Sequence, residues 1–574
     1  MSSLNVGLTN LWSYLWHLHA QTKDMLRLNF NSARVSFSES SFKAEGEDAA
    51  ESATADHVEA DQIIPSGDPQ KGGGLDAGED YGMRQKIGLF LGPALFLLFL
   101  LMPTPAEMSI PAQRALASTA WVATWWITEA IPIPATSLLP VVLFTLTGVM
   151  SAGAATAPYA NTNVFLFMGG FMIAVCMERW NLHLRVALSI IKVIGTGPNR
   201  LILGFMVATA FLSMWISNTA TTMMMMPIGL AVIMQVAQMV QKNGIEGIDV
   251  RQGKFNFGTC LMLSIAYAAS IGGVATLIGT PPNIVFAGAA EEMFGIVIGF
   301  DQWLMYGLPV SAVFLVLAWL YMTRKAYPTK LKEIPGGREL VESQLRSLGA
   351  ITREEKLIAA VFGGVALAWM TRSFLLVHIF PMIHDSVIAI LGAVITFLIP
   401  VNIRKGVFLN DWRTAVNIPW GILLLFGGGL CIAAGFTETG LAGWIGMRLS
   451  ALEGAPMFLI MLAVVTLVIY LTEITSNTAT TSMMMPIMAA MATAMLIHPF
   501  ALMITAATAA SYAFMLPVAT PPNAVIFGSG YVTIPDMVKA GVWLNLLGIA
   551  VITLFAYLWL PLAWGIDVDI FPAW

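Results

Sequence analysis

Ser217-Asn218-Thr219-Ala220-Thr221-Thr222-Met223-Met224-Met225-Met226-Pro227-Ile228 returns almost unchanged as Ser476-Asn477-Thr478-Ala479-Thr480-Thr481-Ser482-Met483-Met484-Met485-Pro486-Ile487. Downstream of each copy stands a second matched pair, Gly279-Thr280-Pro281-Pro282-Asn283 and Ala519-Thr520-Pro521-Pro522-Asn523. Upstream, Phe167-Met168-Gly169-Gly170-Phe171 has a looser counterpart in Phe426-Gly427-Gly428-Gly429-Leu430. Matched segments in one order are the mark of an internal repeat. The chain says the same thing twice.

The repeat sits in an apolar background. Of the 574 residues, 57% are hydrophobic and 11% charged, far fewer charges than a soluble domain carries. A bilayer core of ~30 Å needs roughly 20 apolar residues per helix. Apolar blocks begin near Ile87, Ala115, Pro134, Val164, Leu201, Ala220, Phe255, Trp303, Leu357, Val387, Ile418, Ala455, Ala479, Ala501 and Val542. Two adjacent pairs, Leu201–Gln241 and Ala455–His498, are interrupted by Ser217-Asn218-Thr219 and Ser476-Asn477-Thr478. A polar break at membrane depth survives only when buried in protein or lining a cavity. These pairs therefore read as re-entrant hairpins with polar tips. The expectation is an all-α membrane protein with about eleven transmembrane helices plus the two hairpins.

Basic residues set the expected orientation. Arg324, Lys325, Lys330, Lys332, Arg338, Arg346, Arg353 and Lys356 crowd one long loop, and Arg179/Arg185/Lys192, Lys242/Arg251/Lys254, Arg404/Lys405 and Lys539 fall on the same face. The positive-inside rule makes that face cytoplasmic, with the N-terminus inside and the C-terminus outside. The Asn218 and Asn477 hairpins then enter from opposite sides, so the halves have inverted topology, the architecture of secondary transporters. The expected organisation is an N-terminal extension over 1–83, a first repeat over 84–323, a cytoplasmic loop over 324–355 and a second repeat over 356–574. Within the extension, the acidic stretch from Glu39 to Asp80 reads as disordered. Leu11, Trp12, Leu15, Trp16 and Leu18 fit either a surface-lying helix or an ordinary terminus.

The breaks carry the chemistry. Proline lacks an N–H, so Pro281-Pro282 strands the carbonyls of Leu277 and Ile278, and Pro521-Pro522 those of Pro517 and Val518. Freed carbonyls are hard oxygen ligands suited to sodium. The half-helix that restarts at each proline offers unpaired N–H groups and a partial positive charge to a carboxylate. Ser, Asn and Thr at the tips supply oxygens for a cation and donors for an anion. Segments 201–241, 255–290 and 501–535 contain no Lys, Arg, Asp or Glu. A dianion there needs positive charge from elsewhere, and co-bound cations would supply it.

Other features have bland readings. The methionine runs point to different helix faces and read as packing, not soft-metal binding. Cys176, Cys260 and Cys431 read as packed small hydrophobes, and seven scattered histidines show no ligand spacing. The glycine clusters read as close-packing sites. Glu129 and Glu178 read as membrane-boundary residues. Glu473, the one acid inside a hairpin, reads as paired and structural, with carriage of a coupling proton as the other reading. No nucleophile–base pair or metal cluster occupies the breaks, which argues against an enzyme.

The paired SNTATT…MMP and (G/A)TPPN motifs resemble the divalent-anion/sodium symporter family of dicarboxylate, citrate and sulfate cotransporters. Ser511-Tyr512-Ala513-Phe514-Met515-Leu516-Pro517-Val518-Ala519, leading into Thr520-Pro521-Pro522-Asn523, is similar to that family's signature segment. The resemblance runs from about Lys86 to the C-terminus. It implies a homodimer in the cell membrane, with scaffold and transport domains and an elevator-like movement. It also implies sodium-coupled transport of C4-dicarboxylates, with a sodium-independent exchanger or a citrate or sulfate carrier as alternatives. Carried over by motif position, one sodium site uses Ser213, Ser217, Asn218 and Gly279, and its mate uses Thr472, Thr475, Asn477 and Ala519. Substrate carboxylates meet Asn218, Thr219, Thr280, Asn477, Thr478, Thr520 and Pro521. The implied partners are a small dicarboxylate, sodium and lipid, with no other cofactor and no nucleic acid.

Overall fold

A computed structural model describes residues 81–195, 197–242, 248–329, 331, 337–449 and 456–572. The surface helix considered near Leu11 and the acidic stretch from Glu39 to Asp80 lie outside them. The regular elements among the described residues are helices apart from one short antiparallel ribbon, Pro400–Asn402 against Val407–Phe408. Seven stretches are long and apolar enough to cross a membrane: Met83–Leu101, Ala152–Arg179, Asn218–Lys242, Phe300–Ala326, Arg353–Ile379, Trp420–Thr439 and Ile534–Trp564. Shorter apolar helices accompany them, at Ile133–Thr147, Pro198–Ser213, Asp385–Leu398, Met457–Thr472 and Pro499–Ala510. Pro198–Ser213, Met457–Thr472 and Pro499–Ala510 are short because each stops at a polar break.

The repeat is visible as element order. Thr162–Arg179, Leu182–Ile194, Pro198–Ser213, Asn218–Lys242, Asn256–Gly273, Pro281–Phe294 and Phe300–Tyr321 run in one half. Trp420–Thr439, Leu441–Leu449, Met457–Thr472, Asn477–Ala494, Pro499–Ala510, Pro521–Gly528 and Ile534–Leu554 follow the same order in the other. Both long hairpin arms carry an internal proline at the matched position, Pro227 and Pro486. The arms of each hairpin pack on one another. The short helices Leu182–Ile194 and Leu441–Leu449 were not anticipated, and neither was Gly337–Ser347, which packs on Leu182–Ile194 inside the basic loop.

Packing crosses between the halves. Thr162–Arg179 lies on Asp385–Leu398, so closely that a Cβ on Gly169 would come within 2.6 Å of the Ala389 backbone. Reciprocally, Trp420–Thr439 lies on Ile133–Thr136 and Leu139–Thr147, where a Cβ on Gly428 would approach Ser137 O to 2.5 Å. The glycine clusters are packing sites, as read from the sequence. Pro281–Phe294 packs on Asn477–Ala494, and Pro521–Gly528 on Asn218–Lys242 and Asn256–Gly273. Each restarted half-helix thus sits on the other half's hairpin arm or core. Asn256–Gly273 is buried all round beyond its first residue and Pro499–Ala510 is buried throughout, whereas Met83–Leu101 buries only Gly88 and Gly92. A helix apolar on every face belongs in the interior, and the breaks are therefore central.

Candidate functional site

In the first half, Asn256–Gly273 ends, the chain runs unwound from 274 to 280, and Pro281 restarts the helix as its first residue. In the second half the helix ends at Ala510 and restarts at Pro521. Unwinding therefore extends well beyond the two carbonyls that each proline pair strands. The residue before each restart is extended in the same way, Thr280 at φ −143°, ψ 143° and Thr520 at φ −143°, ψ 147°. Thr520 Oγ1 accepts from Asn523 N at 3.3 Å, whereas Thr280 makes no such side-chain cap.

The hairpin tips meet these breaks. Ser213 Oγ donates to Ala269 O at 2.7 Å, beside the side-chain amide of Asn218. One terminal atom of that amide lies 2.5 Å from Ser213 Oγ and 3.2 Å from both Ala269 O and Gly279 O. With the amide nitrogen there, the group donates to its neighbours and the site is satisfied empty. With the amide oxygen there, four oxygens converge, an arrangement that calls for a cation. Gly273 and Gly279 make room for it: a Cβ on Gly273 would come within 2.5 Å of Asn218 Oδ1, and one on Gly279 within 2.4 Å of Gly273 O. The second half repeats the hydroxyl, amide and helix carbonyl of this constellation. Thr472 Oγ1 lies 2.7 Å from Asn477 Oδ1 and donates to Ala510 O at 3.0 Å. Thr222 Oγ1 and Thr481 Oγ1 back-bond to Asn218 O and Asn477 O at 2.8 and 2.7 Å, fixing the first turn of each arm.

The structure thus brings Ser213, Asn218 and Gly279 together, and Thr472 with Asn477. Ser217 Oγ accepts from Ala220 N at 3.3 Å as a turn cap. Thr475 directs its hydroxyl to Leu471 O and Thr480 Oγ1, at 2.8 and 2.5 Å. Ala519 is buried on the second loop, its N–H bonded to Leu516 O at 3.2 Å. Among the expected substrate residues, Thr280, Thr520 and Thr478 are buried, Asn218, Thr219 and Asn477 half-buried, and Pro521 exposed. Thr478 lines a small apolar cavity with Phe167, Pro281, Ile284 and Phe426.

Two residues given no role in the sequence reading hold the loops. Asn283 Nδ2 donates to Gly273 O, Val274 O and Thr276 O at 3.1, 3.3 and 2.7 Å. Asn523 Nδ2 donates to Ala513 O and Leu516 O, both at 3.0 Å. Their signal was the shared asparagine closing both TPPN motifs. The ion pairs Arg84–Glu129, Arg179–Asp411, Arg185–Glu355 and Arg372–Asp385 all lie on other segments. Among the described residues no Lys or Arg is bonded to either break. Cys176, Cys260 and Cys431 are free and buried. Met223 is exposed and Met225 buried, as packing residues on different faces would be.

Paired helix breaks in a twice-repeated helical membrane body define a transporter, not an enzyme. A model of the sodium:sulfate symporter transmembrane region matches residues 84–565, and the chain belongs to that family. It is 46% identical over 494 residues to the sodium-dependent dicarboxylate transporter SdcS of Staphylococcus saprophyticus, covering 85% of this chain and 94% of that protein. The SdcS protein of Staphylococcus aureus is 46% identical over 492 residues, with the same coverage. Among solved structures, the fold is similar to the YdaH transporter of Alcanivorax borkumensis, with TM-score 0.50 and 13% identity over 74% of this chain and 89% of that one.

Proposed function

We propose that this chain is a sodium-coupled symporter of C4-dicarboxylates such as succinate, malate and fumarate. The observation that carries the sodium part is one polar constellation built twice, Ser213/Asn218/Ala269 and Thr472/Asn477/Ala510, each beside an unwound helix. Sodium would be held at one site by Ser213, Ser217, Asn218 and Gly279, and at the other by Thr472, Thr475, Asn477 and Ala519. The two restarted half-helices favour a dianion with two separated carboxylates, one for each N-terminus. Asn218, Thr219, Thr280, Asn477, Thr478, Thr520 and Pro521 would line that path. Relatives at 46% identity that are named dicarboxylate transporters support the substrate class. Bound sodium would provide the positive charge that the neighbouring side chains do not.

In this reading the basic loops face the cytoplasm and the C-terminus lies outside. An elevator-type movement within a homodimer is the mode that the motif resemblance supplies. The test is uptake of radiolabelled succinate into proteoliposomes with and without an inward sodium gradient. Replacing external sodium by choline should abolish net uptake. Unchanged net uptake in choline or potassium would replace symport with exchange or proton coupling. Competition by sulfate or citrate at lower concentration than succinate would reassign the substrate.

A further inference from the structure

The repeat places Met214 of the first hairpin tip where the second has Glu473, and Thr276 of the first loop where the second has Leu516. These two positions join tip to loop in both halves, by opposite chemistry. In the first half the loop side chain reaches the tip backbone: Thr276 Oγ1 donates to Met214 O. The loop amides there close short turns on their own helix, Val274 N to Ile271 O at 3.3 Å and Ala275 N to Gly272 O at 3.0 Å. In the second half the tip side chain reaches the loop backbone. Glu473 Oε1 accepts from Phe514 N at 2.8 Å and Met515 N at 3.0 Å, and Oε2 from Leu516 N at 3.1 Å. Asn545 Nδ2, from the helix Ile534–Leu554, donates to Oε1 at 2.7 Å.

Both helices end in the same pair of short turns, Ser511 N to Thr508 O at 3.2 Å and Tyr512 N to Ala509 O at 3.0 Å in the second half, but the second ends three residues earlier and Glu473 takes the amides that follow. Ala513 stands in the position of Gly273, the last residue of the helix Asn256–Gly273, yet its own helix has stopped at Ala510. An N–H leaves a buried helix only if another acceptor replaces the carbonyl it gives up. The carboxylate of Glu473, 3% exposed, is that acceptor for three successive amides. Leu516, held through its N–H, accepts in turn from Ala519 N and from Asn523 Nδ2 through its carbonyl. The Glu473 side chain therefore sets the turn that ends at Ala519.

We infer that Glu473 is a positioning residue that holds the 511–520 loop unwound and thereby shapes the cation site around Asn477, replacing the Thr276–Met214 tie of the other half. Its consequence for sodium rests on the symport reading; its consequence for the loop does not. The test has two arms, using the full chain as wild type, Glu473→Gln and Asn545→Ala. Hydrogen exchange of the purified protein should show the amides of 514–516 exchanging at least about tenfold faster in Glu473→Gln, with 274–276 unchanged. Asn545→Ala should move the same amides by a smaller factor, which keeps the idea testable if Glu473→Gln does not fold. In proteoliposomes, the sodium concentration for half-maximal succinate uptake should rise about tenfold in Glu473→Gln. That shift should combine additively with Ser213→Ala and less than additively with Thr472→Ala. Unaltered exchange at 514–516, or equal coupling to Ser213 and Thr472, overturns the inference. A wild type indifferent to sodium refutes the symport reading alone, leaving the exchange arm to decide the loop.

Discussion

The two half-sites use one plan with different tolerances. Around Asn218 the backbone segments are in close contact: Gly273 and Gly279 face each other with no room for a Cβ on either. Around Asn477 the matching positions are Ala513 and Ala519, which carry the Cβ that Gly273 and Gly279 have no room for, and the loop amides turn to Glu473. A site made by close backbone contact cannot absorb an added methyl, whereas one made by a side-chain bridge can lose a methyl cheaply. The difference teaches that sequence symmetry at the motif level does not entail equal stiffness.

The sharpest way to break that comparison is to exchange the small residues. Gly279→Ala puts a Cβ against backbone, which cannot give way as a flexible side chain can, and uptake should fall about 100-fold or more. Ala519→Gly should leave the rate within about threefold, since it adds only backbone freedom. Initial rates of succinate uptake at saturating sodium measure both, and comparable losses would erase the proposed asymmetry. Next come the tip asparagines. Asn218→Ala and Asn477→Ala each remove a part-buried polar contact, costing about 2 kcal/mol or roughly 30-fold in affinity. Because the same residue would serve ion and substrate, each change should weaken succinate binding and shift its sodium dependence to higher concentration. A mutant with wild-type values on both axes disproves the two-site assignment.

A smaller effect is expected at the first half's tie. Thr276→Val keeps the shape but removes the hydroxyl bonded to Met214 O, a loss of about 1 kcal/mol, or roughly fivefold in sodium affinity. An unshifted sodium curve would mean that the tip holds the first loop without it. The smallest change should come from deleting the residues before Gly82, which precede the family match at residue 84. That chain should transport within about twofold of full length, and loss of uptake by a well-folded truncation would give the extension a part in transport.

Much of this plan was legible in sequence because it depends on residues with strong local meaning. Pro281-Pro282 and Pro521-Pro522 cannot continue a helix, so the breaks announce themselves. The amides of Asn218 and Asn477 stand out in apolar runs, whereas Ser213 and Thr472 entered only through the family resemblance. Glu473 was read correctly as paired, but its partners were illegible. Three are backbone N–H groups, which leave no trace in residue identity, and the fourth, Asn545, lies on a distant helix. The extent of unwinding was hidden for the same reason, since it depends on where displaced amides find acceptors. Asn283 and Asn523 were visible as repeated letters, but their role depends on loop carbonyls that only the fold brings within reach. Leu182–Ile194 and Leu441–Leu449 escaped notice because they are too short to register as spans.

The exchange of packing partners between halves also bears on how the chain is made. Thr162–Arg179 finds its closest neighbour, Asp385–Leu398, only after some two hundred further residues have been synthesised. At about 5–20 residues per second, that helix waits on the order of ten seconds or more with its glycine face uncovered. The face that Asp385–Leu398 covers stays open during that interval, although the first half's other helices can pack on one another. Two separately expressed halves should be degraded when alone and persist when made together, because each supplies the surface that the other lacks.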